Sequence, residues 1–298
     1  MHFVYHEQYD LNLGDHVFPS QKFRMIRDRL LAEQVASPSD FLVPDPASDE
    51  DLRLVHDPGW IHRMKTGTLS YLEILKLEIP WSEQMARAFV LAAGGSVLTA
   101  KTALKERTCF NCGGGFHHAF RSHGEGFCAI NDIAVAIRVL QRDGAIKRAM
   151  VVDCDVHHGN GTAAIFAGDA SVFTISVQQF NNYPSEKPPS TLDIHLKDGA
   201  GDREYLEKLE AGIRFPMKEF RPELVMYVAG ADPYQQDQLG GLALSLEGLK
   251  ARDELVMSAA IENGAAVAVV LAGGYAAQVE DTVTIHCNTA KIAKRLAG

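Results

Sequence analysis

The sequence predicts an α/β protein: a three-layer α/β/α single domain over residues 1–298, built on a mainly parallel central sheet. Short, continuously apolar runs recur along the chain, such as "ELVMYVAG" (223–230) and "AVAVVLAGG" (266–274). Strands covered on both faces have this composition. Between these runs lie longer segments with apolar residues at helical spacing, and strand alternating with helix is the pattern of a parallel sheet. No linker and no internal repeat divides the 298 residues, a length that one α/β domain can reach.

Each element follows in order. "HFVY" (2–5) is a short strand, and 19–34 is a helix behind a Ser20 cap. Residues 80–106 form a long Ala-rich helix capped by Ser82, with Gly94–Gly95 marking close approach of another backbone. A buried strand at 108–112 leads to a helix at 129–144, stopped by Gly144. Residues 148–155 form a strand, 161–168 a short helix and 171–177 a strand. The helix at 202–220 is expected to break at Pro216. Strands at 223–230 and 266–274 flank a helix at 246–264, and a last helix covers 277–296. The stretch 178–201, "QQFNNYPSEKPPSTLDIHLKDGAG", is the longest irregular segment.

Composition narrows the function. A net charge of −9 argues against direct nucleic-acid binding, which needs a basic patch. Five cysteines, an odd number, argue against a full disulfide framework, and Cys109, Cys112, Cys128 and Cys154 sit in apolar stretches where reduced thiols behave as small hydrophobes. Cys109 and Cys112 have C-x-x-C spacing, but no second pair completes a zinc ribbon. The N-terminus lacks signal-peptide features, and no run of about 18 apolar residues suggests a membrane helix. A cytoplasmic protein with no membrane association is expected.

Ligands of open parallel sheets bind beyond the carboxyl ends of the strands. Four predicted strand ends carry unusual polar residues: "GGGFHHAFRSHGEGF", "DCDVHHGNG", "ADPYQQD" and "LAGGY". If residues 148–158 continue a strand, Asp153, Asp155 and His157 share one face and His158 the other. A catalytic divalent site needs about three protein ligands and an open position. Asp155 and His157 can supply two, and Asp232 the third. A solvated loop is the ordinary reading of an isolated D-x-H pair; the sister motifs weigh against it here. His117 and His118 follow three glycines. Adjacent side chains tend to diverge, so this pair suits general acid and base work better than chelation, with Asp153 and Asn160 as candidate partners. A hydroxyl at Tyr275 can serve a developing oxyanion, although a tyrosine after a strand more often packs.

Taken together, "GGGFHHA", "GEGFCAIND", "VDCDVHHGNG", "GADPYQQDQLGG" and "LAGGY" resemble the zinc-dependent histone deacetylase family of the arginase/deacetylase superfamily. The likeness runs from about residue 3 to 290 and is nearest the class IV branch and bacterial histone deacetylase-like amidohydrolases. It implies an arginase/deacetylase fold and a metal-dependent hydrolase that removes an acetyl or other acyl group from lysine side chains of proteins or peptides. Asp155, His157 and Asp232 would be ligands to Zn2+, with Fe2+ or another divalent ion as alternatives. His117 and His118 would be base and acid, Asp153 the orienter of the first, and Tyr275 the oxyanion donor. Gly126 would accept the substrate amide N–H, Phe127 and Tyr183 would wall the acyl-lysine tunnel, and Leu239 would lie near its mouth. A structural K+ or Na+ would sit near Asp153, Asp155, His157 and Ser176, and a second near Phe166, Asp169 and Val172.

Two departures qualify the likeness. Asn160 stands where some members carry an aspartate, and an amide stabilises a protonated imidazole less than a carboxylate does. No rim acid is evident in 66–82. Among rival functions, a binuclear ureohydrolase lacks its second aspartates here. A non-catalytic acyl-lysine binder fits poorly, because every catalytic position is filled. An acetylpolyamine deacetylase or a long-chain lysine deacylase shares all the catalytic residues and stays open. Oligomeric state is not encoded in any motif.

Overall fold

The computed structural model describes residues 1–298. Eight strands form one sheet: β1 (Phe3–Val4), β2 (Phe41–Leu42), β3 (Thr108–Asn111), β4 (Ala149–Asp153), β5 (Val172–Gln179), β6 (Leu192–Leu196), β7 (Leu224–Val228) and β8 (Ala266–Val270). Their spatial order is β2-β1-β3-β8-β7-β4-β5-β6, and every neighbouring pair is parallel. The sheet is thus wholly parallel rather than mainly so.

Ten helices cover it: α1 (Lys22–Ala32), α2 (Asp49–Arg53), α3 (Pro58–Thr66), α4 (Tyr71–Leu77), α5 (Glu83–Glu106), α6 (Asp132–Arg142), α7 (Asn160–Ile165), α8 (Asp202–Phe220), α9 (Leu246–Glu262) and α10 (Val279–Ala297). One layer is led by α5 packed against α6; the other contains α8, α9 and α10, with α1 against α10. The sandwiched sheet lies in one continuous hydrophobic core. The consequence for function is positional. The motif-bearing strands β3, β8, β7 and β4 are four consecutive strands at the centre of the sheet. Parallel pairing sends all four carboxyl ends to the same edge, where the strand order also reverses. That is where ligands of doubly wound sheets bind.

Several sequence expectations change. Residues 178–201 are not wholly irregular: Leu192–Leu196 form β6, the parallel edge strand beside β5. Its polar residues Asp193 and His195, partly or wholly exposed, dilute the apolar pattern that reveals central strands. Helices α2, α3 and α4 lie where no element was assigned, because short capped helices carry little periodicity; Ser48 and Ser70 form capping boxes. Ser20 does not cap α1, whose N-cap is Gln21 without a side-chain bond; the Ser20 hydroxyl is taken by Asp10. Pro216 does not break α8. It sits off the buried stripe of Tyr205, Leu209, Ile213 and Met217, and packing of that stripe outweighs the lost backbone bond. Ser82 does cap α5, accepting from Met85 N at 3.0 Å. A Cβ on Gly94 would lie 1.9 Å from Asp45 O, so the helix meets a neighbouring backbone there as anticipated.

His56 ties the loop after β3 to the start of α6. Its Nδ1 lies 2.9 Å from Phe120 O, and its Nε2 accepts from Asn131 N at 3.0 Å. Those bonds fix a neutral tautomer. Burial depresses its pKa to about 4 from the usual 6.5. The folded state therefore resists the proton that the unfolded chain accepts. Stability from this group is complete above pH 6.5 and is lost as pH falls toward 4, by roughly 3 kcal/mol at 1.36 kcal/mol per pH unit. Urea unfolding at pH 7 and pH 4 will show a larger acid loss in the native protein than in His56→Gln. Equal losses in the two proteins contradict this assignment.

Candidate active site

Two carboxylates and an imidazole meet where β4, β7 and β8 end. Asp155, His157 and Asp232 are all buried, and one candidate ligand atom from each lies within 4.8 Å of the others. Strand β4 ends at Asp153, so pleat alternation does not bring Asp155 and His157 together. Backbone amides do. Asp155 N donates to Asp153 Oδ1 at 3.1 Å, and His157 N donates to Asp155 Oδ1 at 2.9 Å. Val156 N donates to Asp232 Oδ1 at 2.8 Å, and Gly273 N donates to Asp155 Oδ2 at 2.8 Å. Each carboxylate is thereby aimed by amides from a neighbouring strand exit.

The donor set fits a divalent cation. Asp232 Oδ2 is buried without a hydrogen-bond partner, and it faces His157 Nδ1 at 3.2 Å. Burial and then the Asp155 charge raise Asp232 to about 7. Burial opposes protonation of His157, but Asp155 and Asp232 outweigh it and raise the imidazole to about 10. Two acids and a base held this tightly compete for a proton; a doubly charged ion satisfies all three. Gly273 is required beside them, because a Cβ there would lie 2.0 Å from Asp232 Oδ2.

The tandem histidines converge rather than diverge. His117 Nε2 and His118 Nε2 are 3.0 Å apart, with ring centroids at 4.0 Å. Both residues lie in a turn rather than in the extended backbone that would have splayed them. His117 Nδ1 lies 2.7 Å from Asp153 Oδ2. Burial works against its charge, yet Asp153 and Asp155 raise it to about 9. His118 Nδ1 lies 2.7 Å from Asn160 Oδ1. Burial, followed by the His117 and His157 charges, pushes His118 well below the usual histidine value. One ring is built to hold a proton and the other to be without one. Both predicted partners, Asp153 and Asn160, are where the sequence placed them.

A cavity of about 170 Å³ opens onto this cluster, lined by His118, His157, Gly126, Phe127, Tyr183, Leu239, Tyr275, Asn182 and Glu78. All four predicted substrate-binding residues are on its wall. Burial, with Asp155 and Asp232 adding, keeps the Tyr275 phenol far above its usual value, so it remains a donor. Glu78 places a carboxylate on the cavity wall from the segment 66–82, where no rim acid was evident in the sequence. It follows α4 at φ +61°, and no sequence signal marked it. Asp237 also escaped notice, although it lies inside "GADPYQQDQLGG". It accepts from Tyr275 N at 2.7 Å and from Leu239 N at 2.9 Å, pinning a catalytic candidate and a mouth residue together. Lys22 is fully buried, donates to Ala272 O at 2.8 Å and lies 5.8 Å from the Tyr275 ring centroid. A single lysine in an amphipathic helix gave no hint of this.

The remaining predicted positions divide. Ser176 lies beside Asp153 in the β4–β5 register, and its buried Oγ has no partner, as a nearby monovalent cation would require. At the second expected cation position, Phe166 O and Asp169 O already accept backbone N–H groups, and Asp169 pairs with Arg138 at 2.6 Å. His158 points away from the site, its Nε2 3.2 Å from Asp193 Oδ1 on β6. All five cysteines are buried and unpaired.

Gly273→Ala tests the centre without an assay of turnover. Pushing Asp232 aside is expected to weaken zinc binding by roughly 10- to 100-fold, the usual cost of disturbing ligand orientation, with helical circular dichroism unchanged. Native zinc affinity in that variant would argue against the ligand set.

Residues 16–290 match the Histone deacetylase domain model. The chain is 39% identical over 284 residues to an uncharacterised protein of Picosynechococcus sp., covering 95% of each chain. It is 29% identical over 293 residues to Histone deacetylase 2 of Arabidopsis thaliana, covering 91% of this chain and 74% of that protein. Among solved structures, the HDA15 HD domain aligns over all of this chain and 88% of its own, with a TM-score of 0.83 and 26% identity. The domain match, the relatives and the parallel sheet with its site all agree: the chain belongs to the histone deacetylase family of hydrolases.

Proposed function

We propose that this protein is a zinc-dependent deacylase that removes acetyl groups from lysine side chains of proteins or peptides. The observation that carries the reading is the cavity that reaches His118, His157 and Tyr275, with His157 clustered with Asp155 and Asp232. Its walls of Phe127 and Tyr183 suit a linear aliphatic chain, and its floor suits the amide at the end of that chain. A bound divalent ion, held by Asp155, His157 and Asp232, would polarise the amide carbonyl and acidify water.

The chain's own groups then divide the proton work. His118, unprotonated and on the cavity wall, takes the proton of the attacking water. The Tyr275 hydroxyl donates to the oxygen on which negative charge develops. His118 hands the water's proton on to the leaving amine, while His117 carries the positive charge that Asp153 stabilises and can refill the emptied His118 Nε2 across the 3.0 Å contact between the two rings. Gly126 offers its carbonyl to the amide N–H, and Leu239 closes the mouth. Ser176 and the backbone about Asp153, Asp155 and His157 would hold K+ or Na+ behind the centre. The buried, unpaired thiols support a reducing, cytoplasmic setting. No helix is long and apolar enough to cross a membrane.

Glu78 favours a second reading. It is the one charged group on the cavity wall apart from the centre, and burial followed by repulsion from Glu125 raises its pKa. Such a carboxylate can accept a peptide N–H, or it can pair with the free ammonium of an acetylated polyamine.

Turnover of N-acetyl-lysine peptides, long-chain acyl-lysine peptides and acetylpolyamines, with and without a chelator, separates these readings. Acetyl-lysine peptides are expected to be the best substrates, and chelation to abolish turnover. Inertness toward the whole panel with zinc bound would sink the hydrolase assignment. Tyr275→Phe should lower kcat by roughly 10²- to 10³-fold while retaining zinc. Glu78→Gln should raise KM for a cationic acetylpolyamine more than for a neutral peptide if the second reading holds.

A further inference from the structure

We propose that Glu125 is a positioning residue for His118: through Asn160 it supplies the carboxylate that Asn160 itself lacks. The inference rests on the deacylase reading above. The sequence raised the problem, since an asparagine stands where a negative partner would stabilise an imidazolium. Geometry answers it one residue further out. Asn160 is buried, and its amide bridges two groups: Oδ1 lies 2.7 Å from His118 Nδ1, and Nδ2 donates to Glu125 Oε1 at 2.7 Å. An ionised carboxylate accepts and does not donate. Glu125 therefore fixes which end of the amide faces it and leaves the oxygen toward His118. Gly161 N, donating to the same oxygen at 3.0 Å, agrees with that orientation. His118 must then carry its proton on Nδ1 and present an unprotonated Nε2.

Placement of Glu125 is no accident of a mobile side chain. Glu125 N donates to Cys128 O at 3.0 Å, and Cys128 N donates back to Glu125 O at 2.9 Å. This closes a tight turn with Gly126 at φ +50° and Phe127 at φ +66°. The same turn sets Gly126 and Phe127 on the cavity wall, so the substrate wall and the Glu125 carboxylate are one rigid unit. The Glu125 side chain is only 18% exposed, and its other oxygen lies 3.6 Å from His123 Nε2. Hydrogen-bonded chains of this kind polarise one another: a charge at Glu125 strengthens the Asn160 oxygen as an acceptor for His118.

A charge swap tests this. Glu125→Gln keeps an acceptor for Asn160 Nδ2 but removes the charge. It should lower kcat on an N-acetyl-lysine peptide roughly tenfold, a size common for coupled neighbours, with KM little changed. Asn160→Asp alone sets two carboxylates against each other and should also be impaired. The Glu125→Gln/Asn160→Asp double variant moves the charge inward and should recover most of the wild-type kcat. A purely structural role for Glu125 predicts additive losses and no recovery. A second readout is independent of turnover: the downfield Nδ1 proton resonance of His118 in the zinc-loaded protein, assigned by its loss in His118→Gln. It should move upfield in Glu125→Gln. No wild-type turnover would defeat the deacylase reading while leaving this resonance to decide the role of Glu125. An unmoved resonance, or additive losses in an active enzyme, overturns the inference.

Discussion

The structure depends on an excess of negative charge held inside the protein. Asp155 and Asp232 are both buried, with carboxylate oxygens within 4.8 Å of each other. Two unit charges about 4 Å apart repel by roughly 4 kcal/mol at an effective dielectric near 20. Burial acts in the same direction, and together they hold Asp232 near 7. A fold could avoid this by neutralising either residue. Here it does the reverse and aims peptide N–H groups at both, with the shared His157 imidazole between them and no lysine or arginine in contact. Lys22, the buried cation of the neighbourhood, spends its hydrogen bond on Ala272 O instead. The charge is thus left for an ion, and the four central strand ends are where enough amides converge to hold it.

The same negative charge sorts the two histidines. His117 feels Asp153 and Asp155 and is driven up to about 9; His118, one residue on, is driven down by burial and then by the His117 and His157 charges, with only the Asn160 amide acting against them. Adjacent residues of identical chemistry therefore reach opposite protonation states. Pairs of titratable groups pushed apart in this way are how one site runs acid and base chemistry at a single pH. Replacement of an aspartate by Asn160 strengthens the contrast, because a carboxylate in direct contact would have drawn both rings toward the charged form.

How much of this was legible follows from the physics of each feature. The four central strands were readable because strands buried on both faces are continuously apolar. Edge strand β6, with polar positions facing water, was not. Asp155, His157 and Asp232 were legible as polar residues at apolar strand exits. Their convergence was predicted for the wrong reason, since β4 stops at Asp153 and amides rather than pleat bring them together. His117 and His118 were expected to splay and do not, because they lie in a turn and not in a strand. Asp237 and Glu125 lay within quoted motifs but showed their roles only through contacts of their carboxylates. Glu78 and Lys22 could not be found from one sequence: each acts through a contact across the fold, and local pattern carries no record of it.

Rigidity around the cavity comes from positions that are costly in isolation. Phe127 and Ala272 both hold positive φ, a conformation that costs a non-glycine residue of order 1–3 kcal/mol. Each is held by a bond to the surrounding frame: Phe127 N donates to Leu77 O at 2.9 Å, and Lys22 clamps Ala272 O. Phe127 is thereby tied to the end of α4, next to Glu78. Gly126 N makes a parallel bond to Lys76 O at 3.1 Å. The short helix absent from any sequence pattern is thus what fixes one wall of the cavity and its acidic rim together. This cavity wall therefore depends on α4 and its junction with the Glu125–Cys128 turn, whereas the Asp155–His157–Asp232 cluster depends on the central strand ends. The two can change independently, because the strand-end amides that orient Asp155 and Asp232 include none from α4.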